Sequence, residues 1–64
     1  MEHKITLKAA RVNAGFTQSE AAEKLGKAKQ TIAAWENGAR SPKANDLITL
    51  CGVYGVTMND IIMP

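Results

Sequence analysis

The sequence predicts an all-α protein, folded as a compact bundle of five short helices over residues 1–64. Three observations favour this class. Apolar residues recur at intervals of three and four along most of the chain, which is the spacing of a helix face that packs on a core. Single glycines end the periodic stretches, and a threonine stands just before the start of several of these stretches. The apolar content of 45% and the charged content of 22% are typical of a globular protein.

The first helix is predicted to begin after Thr6, whose hydroxyl can cap the first turn, and to run through Ala14. Leu7, Ala10 and Ala14 have the spacing of a core face. Gly15 then ends the helix. The residues before Thr6 show no periodic pattern, so no element is predicted there.

The second and third helices are predicted over about residues 17–37, and the rest of the chain is organised around them. Thr17 and Glu20 have the spacing of a capping box, in which each side chain bonds the amide of the other residue. Gly26 ends the second helix because glycine adopts a left-handed conformation without steric cost. The helical pattern then resumes and stops at Gly38.

These two helices must cross steeply because so few residues join them, and the residue at the crossing must be small. Ala22, one turn before Gly26, meets that need. Ile32 and Trp35 stand three residues apart and form the inward pair of the third helix. The positions left facing outward are polar or small: Lys29, Gln30, Ala33, Ala34 and Asn37.

The fourth helix is predicted to begin between Pro42 and Asn45 and to end at Gly55. Its apolar residues recur at helical intervals, as expected for one buried stripe. They are Leu47, Leu50, Cys51 and Tyr54.

A short fifth helix is predicted at the end of the sequence. Thr57 is its cap, and Ile61 and Ile62 pack back onto the core. A chain of 64 residues has no room for a second core, so we expect a single domain over residues 1–64.

The composition argues against a metal site and against an enzyme. Cys51 is the only cysteine, which excludes an internal disulfide and a thiolate cluster and favours a small core residue. His3 is the only histidine, so neither a metal site nor a catalytic triad is indicated. Glu20 and Glu23 are three residues apart on a predicted exposed face, which is ordinary solvation. We expect no catalytic residue, no metal and no cofactor.

The hydropathy pattern argues against a membrane protein. No apolar run approaches the roughly 18 residues that a membrane-spanning helix needs. The first residues do not lead into the apolar core of a signal peptide. We therefore expect a cytoplasmic protein with no membrane contact.

Positive charge is concentrated around the third helix. Residues 24–43 carry five basic side chains and one acidic side chain, Glu36, whereas the net charge of the whole chain is +2. Taken alone, such lysines are equally typical of a solvated surface and of a surface that binds phosphate.

A set of residues at fixed positions resembles the helix-turn-helix of the phage repressor and Cro (XRE) family: Thr17-Gln18, Ala22, Gly26, Ile32, Trp35 and Glu36-Asn37-Gly38. The resemblance extends from about Leu7 to Ile62, nearly the whole chain. It implies a lambda-repressor-like fold, with the helix-turn-helix at about residues 17–37 and DNA as the ligand of the basic segment. It also implies that Arg11 pairs with Glu36, an arrangement that would join the first helix to the third.

The resemblance further implies that the third helix, at about residues 29–37, is a recognition helix that lies in the DNA major groove. The side chains expected at base edges are Lys29, Gln30, Thr31 and Ala34. Gln30 is the main expected reader, because a carboxamide can match both N6 and N7 of adenine. Ala34 can contact only a thymine methyl group, so we expect modest direct specificity. The side chains expected at phosphates are Gln18, Lys27, Asn37, Arg40 and Lys43.

A single module of this kind covers only about 600 to 1,000 Å² of DNA interface, so we expect a homodimer on a palindromic operator. The candidate dimer surface includes Val56, Met58 and Met63, although both methionines are equally suited to the core. The predicted function is sequence-specific binding of double-stranded DNA by a transcriptional regulator of the phage or prophage repressor or Cro type.

Two alternatives remain open at this point. The same fold can serve as a protein-interaction module, such as an antitoxin or adaptor, with the outward face of the third helix on a protein. The basic segment, together with Gln18, Gln30 and Asn37 at DNA-facing positions, argues against that alternative. The chain can also be the DNA-binding portion of a longer protein.

Overall fold

The computed structural model describes residues 4–64 as four α-helices, one 3-10 helix and two short strands. In chain order these are β1 (Ile5–Thr6), α1 (Leu7–Asn13), α2 (Gln18–Leu25), α3 (Lys29–Asn37), α4 (Ala44–Tyr54), the 3-10 helix (Met58–Asp60) and β2 (Ile61–Ile62). The protein is thus mainly helical, as predicted. His3, for which neither a metal site nor a catalytic triad was indicated, lies outside the described residues.

The prediction of a short fifth helix capped by Thr57 is confirmed only in part, because the element is a three-residue 3-10 helix and not an α-helix. Thr57 begins a single 3-10 turn, in which the Asp60 carboxylate accepts hydrogen bonds from the Thr57 amide at 2.9 Å and from its hydroxyl at 3.0 Å. The chain then extends, and Ile61 pairs in parallel with Ile5 of β1. The two isoleucines of β2 are β-branched and favour extended backbone, and β1 supplies partners for their amides and carbonyls.

The same pairing corrects two further expectations. β1 occupies part of the segment in which no element was predicted, because two residues are too few to show a periodic pattern. Successive side chains of a strand point to opposite faces, so Ile61 is buried whereas Ile62 is 47% exposed. Ile62 was expected to pack on the core and does not.

Local hydrogen bonds define where the first two helices begin. The Thr6 hydroxyl accepts the Ala9 amide at 3.0 Å at the start of α1. At the start of α2, the Thr17 hydroxyl accepts the Glu20 amide at 3.1 Å, and the Glu20 carboxylate accepts the Thr17 amide at 2.8 Å. This reciprocal pair is the predicted capping box. It also holds the pKa of Glu20 below its usual value, because the charged carboxylate is the acceptor.

The core lies between the four α-helices and β2. Its buried side chains are Leu7, Ala10, Ala21, Ala22, Ile32, Trp35, Leu50, Cys51, Tyr54 and Ile61. Ala21 and Ala22 are almost completely buried, which is consistent with a close approach of α2 to its neighbours. Two expected core residues, Ala14 and Leu47, are only half-buried and pack against its edge.

Candidate nucleic-acid interface

α3 has one buried and one accessible face. Ile32 and Trp35 are 1% and 4% exposed and anchor the helix in the core. Lys29 and Gln30, in the first turn, are exposed, and so is Asn37 in the last turn. Thr31, Ala33 and Ala34 are half-buried. The accessible face is therefore polar mainly at its N-terminal end.

The start of α3 lacks a side-chain cap. Ala28 takes the N-cap position in extended conformation, with φ −82° and ψ 151°, and makes no side-chain hydrogen bond. The Ala28 carbonyl accepts the Thr31 amide at 3.0 Å. The amides of Lys29 and Gln30 precede that bond and face the end of the helix where the macrodipole is positive.

Arg11 of α1 and Glu36 of α3 form a bidentate ion pair. The Arg11 Nε donates to Glu36 Oε2 at 2.7 Å, and its Nη2 donates to Glu36 Oε1 at 3.2 Å. The two side chains are only 9% and 6% exposed. Hydrogen bonding to Glu36 raises the pKa of Arg11, so the guanidinium keeps its charge.

Gln18 joins this pair from the first turn of α2. Its Nε2 donates to Glu36 Oε1 at 3.1 Å. Glu36 thus connects α1, α2 and α3 at one point. The bond holds the Gln18 carboxamide in one orientation and leaves its carbonyl and second N–H for an outside partner. Sequence reasoning assigned Gln18 to phosphate alone and missed this bond, because nothing local links residues 18 and 36.

The loop after α3 is shaped by Asn37. Its Oδ1 accepts a hydrogen bond from the Ala39 amide at 2.9 Å. The Arg40 amide donates a hydrogen bond to the Ala34 carbonyl at 3.2 Å. This local closure uses the acceptor of the Asn37 carboxamide, so its two N–H donors remain to point outward. Arg40 and Lys43 follow on exposed positions of the loop.

A concavity of about 270 Å³ lies between α3, this loop and the start of α4. Its lining brings together three basic residues that were expected at phosphates: Lys27, Arg40 and Lys43. Asp46 also lines it, and its Oδ2 lies 3.7 Å from Lys27 Nζ. Sequence reasoning missed Asp46, which partly neutralises this basic surface.

Residues 4–64 contain neither a candidate metal cluster nor a candidate membrane-spanning helix. This part of the chain contains no cluster of His, Cys, Asp and Glu that could hold a metal ion. None of its helices combines the length and the apolar character needed to cross a bilayer.

The sequence of the chain is similar to known proteins. Residues 7–61 match the family model described as "Helix-turn-helix". The chain is also similar to the protein named "HTH-type transcriptional regulator ImmR" from Bacillus subtilis (strain 168), with 38% identity over 56 residues. That alignment covers 88% of this chain and 44% of the relative, so the chain spans less than half the length of the relative it matches.

Proposed function

Because the chain belongs to the XRE-type helix-turn-helix family, we propose that it binds double-stranded DNA in a sequence-specific manner and regulates transcription. Residues 1–64 act as one DNA-binding domain, with the helix-turn-helix at about residues 17–37. The observation that carries this proposal is the accessible first turn of α3, which presents Lys29 and Gln30 beside a surface rich in lysine and arginine.

In this proposal, α3 lies in the major groove with its N-terminal end toward the bases. Gln30 is exposed and makes the main contact, to N6 and N7 of an adenine. Lys29 and Thr31 contribute further hydrogen bonds to base edges. Ala34 is half-buried and adds only an apolar contact to a thymine methyl group.

The phosphate contacts come from the residues around α3. Gln18 uses the groups that its bond to Glu36 leaves unused, and Asn37 uses its outward N–H donors. The remaining contacts are made by the basic side chains of the small concavity: Lys27, Arg40 and Lys43. These contacts set the position of α3 on the duplex but carry no sequence information.

A dimer completes the proposal. One copy covers too little DNA for tight specific binding, so two copies bind a palindromic operator with their α3 helices about 34 Å apart. Met58 and Met63 are 43% and 37% exposed, which supports their place in the surface between the copies. Such a protein acts as a repressor or Cro-type regulator of a phage, prophage or mobile element.

The test is selection of binding sites from a random duplex pool with the native chain, Gln30→Ala and the control Asn13→Ala. Asn13 carries a carboxamide at the exposed C-terminal end of α1 and does not line the concavity beside α3. The native chain and the control are expected to enrich the same palindrome. Gln30→Ala should lose discrimination worth about 1–3 kcal/mol at one symmetry-related pair of positions. Equal recovery of random DNA by the native chain would contradict the proposal.

Salt dependence separates DNA binding from the protein-interaction alternative. A protein that contacts six to ten phosphates loses roughly 10³-fold or more in affinity between 50 and 200 mM salt. We expect a loss of this size for the native chain on its selected duplex. A weak response to salt would favour a protein partner.

A further inference from the structure

The turn after α3, residues 37–40, lies against the segment that follows β2. Gly38 ends α3 in a left-handed conformation, with φ +81° and ψ 4°. A Cβ on Gly38 would lie 3.2 Å from the Cβ of Pro64 and 3.4 Å from its Cγ. The ring of Pro64 therefore fills the space that a side chain at residue 38 would occupy. The function proposed above gives this contact no role.

β2 holds the segment that carries Pro64 on the body of the protein. Ile61 is buried and pairs with Ile5, and Ile62 pairs with Thr6. Pro64 follows two residues after β2. The pyrrolidine ring fixes its own φ and has almost no rotamer freedom to lose. Holding this ring against the turn therefore costs little conformational entropy.

The turn itself has little internal support. Two hydrogen bonds close it, from the Ala39 amide to Asn37 Oδ1 at 2.9 Å and from the Arg40 amide to the Ala34 carbonyl at 3.2 Å. All four residues of the turn are exposed, so water competes for these bonds and their net contribution is small. Gly38 has no side chain to pack and belongs to the residue type with the greatest backbone freedom. A rigid ring against Gly38 restricts the turn at its most flexible point.

We propose that Pro64 is a positioning residue for DNA binding, which holds the turn in the form that directs Asn37 and Arg40 to the DNA backbone. This inference rests on the proposed function and extends it to a residue outside the expected DNA contacts. Asn37 and Arg40 lie on either side of Gly38, so the relative orientation of their side chains depends on the Gly38 dihedral angles. A turn that samples several conformations presents both side chains correctly for only part of the time, and affinity falls by that fraction.

The experiment measures affinity for the selected duplex at 50 mM salt, with the native chain, Pro64→Gly and Asn59→Ala. Asn59 is the control, because it is exposed in the 3-10 helix before β2 and binds Lys4 through its backbone carbonyl, which alanine keeps. Pro64→Gly should weaken binding roughly tenfold, the effect of losing about one hydrogen bond to a charged group. Asn59→Ala should bind like the native chain.

A second background separates positioning from a general loss of stability. Asn37→Ala and Arg40→Gln are introduced together, and the effect of Pro64→Gly is measured again. If Pro64 acts through these two side chains, Pro64→Gly should have no further effect on affinity once both are removed. An equal loss of affinity in the two backgrounds would overturn this inference, and so would the absence of a loss in the native background.

Two further measurements keep the outcomes distinct. Thermal unfolding of each variant verifies that the fold is retained. Selection of a specific duplex by the native chain supports the proposed function even where the Pro64→Gly results overturn this inference. Failure of the native chain to select any duplex would overturn both.

Discussion

Arg11 and Glu36 meet through two hydrogen bonds, of 2.7 and 3.2 Å, although 25 residues separate them in the chain. Arg11 also donates from Nη1 to the Phe16 carbonyl at 2.8 Å, just before α2 begins. A single guanidinium therefore fixes the loop after α1 and the last turn of α3. The pair is almost entirely buried, so its two charges depend on each other.

Arg11→Met should be strongly destabilising, because it leaves the buried Glu36 carboxylate without its cation. The expected loss in the free energy of unfolding is about 3–5 kcal/mol, measured by urea denaturation. The double variant Arg11→Met with Glu36→Leu removes both charges and should recover much of that loss. A double variant as unstable as the single one would show that packing, rather than charge, determines the effect.

Tyr54→Phe should maintain or raise stability at neutral pH. The Tyr54 hydroxyl is buried and has no hydrogen-bond partner among the described residues. Removal of an unsatisfied buried group of this kind is worth up to about 1 kcal/mol, and the aromatic ring, 6.3 Å from that of Phe16, is kept. Urea denaturation at pH 7 measures the change. A marked loss of stability would mean that the hydroxyl has a partner.

The pH dependence of stability should also change with Tyr54. Burial raises the pKa of Tyr54 from 10.0 to about 12. As the pH rises from 10 to 12, tyrosine ionises in the unfolded chain before it ionises in the folded one, so the native protein loses stability over this range. Tyr54 is the only tyrosine, and Tyr54→Phe should lose less stability between pH 9 and 12 than the native chain does. Identical curves for the two proteins would contradict this prediction.

Gly38→Ala should be more destabilising than Gly26→Ala. Both glycines adopt positive φ, +81° and +66°, where an alanine costs roughly 1–2 kcal/mol. A Cβ on Gly38 would also lie 3.2 Å from the Cβ of Pro64, whereas a Cβ on Gly26 would meet nothing within 4 Å. Thermal unfolding should show the larger drop in Tm for Gly38→Ala. Adding Pro64→Gly should remove the difference between the two variants.

Asp46→Asn should raise DNA affinity at low salt with little effect on stability. The Lys27–Asp46 pair is 3.7 Å long, and its side chains are 39% and 21% exposed, so its net stabilisation is small. Under the proposed function, loss of the carboxylate frees Lys27 for a phosphate and removes a negative charge that would repel DNA from the small concavity. Glu23→Gln, on the exposed face of α2, is the control. Both variants remove one negative charge, which by itself raises DNA affinity slightly. At 50 mM salt, the affinity of Asp46→Asn should rise more than that of Glu23→Gln, and equal increases would contradict this prediction.

The local features of the fold could be predicted from short stretches of the sequence. The Thr17–Glu20 capping box and the inward pair of Ile32 and Trp35 could be predicted because each depends on residues three positions apart. The left-handed Gly26 could be predicted because it depends on the conformational freedom of one residue. The helix-turn-helix family was also recognisable from residues at fixed spacing, without knowledge of any long-range contact.

The contacts between distant segments could be seen only in the folded protein. The sequence could not show that Gln18 bonds Glu36, that Asp46 faces Lys27, or that the final isoleucines pair with β1 instead of forming a helix. The pairing of Arg11 with Glu36 was predicted from the sequence, but only because the family resemblance implies it. Such contacts depend on how the helices cross, and the crossing is set by the packing of the whole core rather than by any one stretch of sequence.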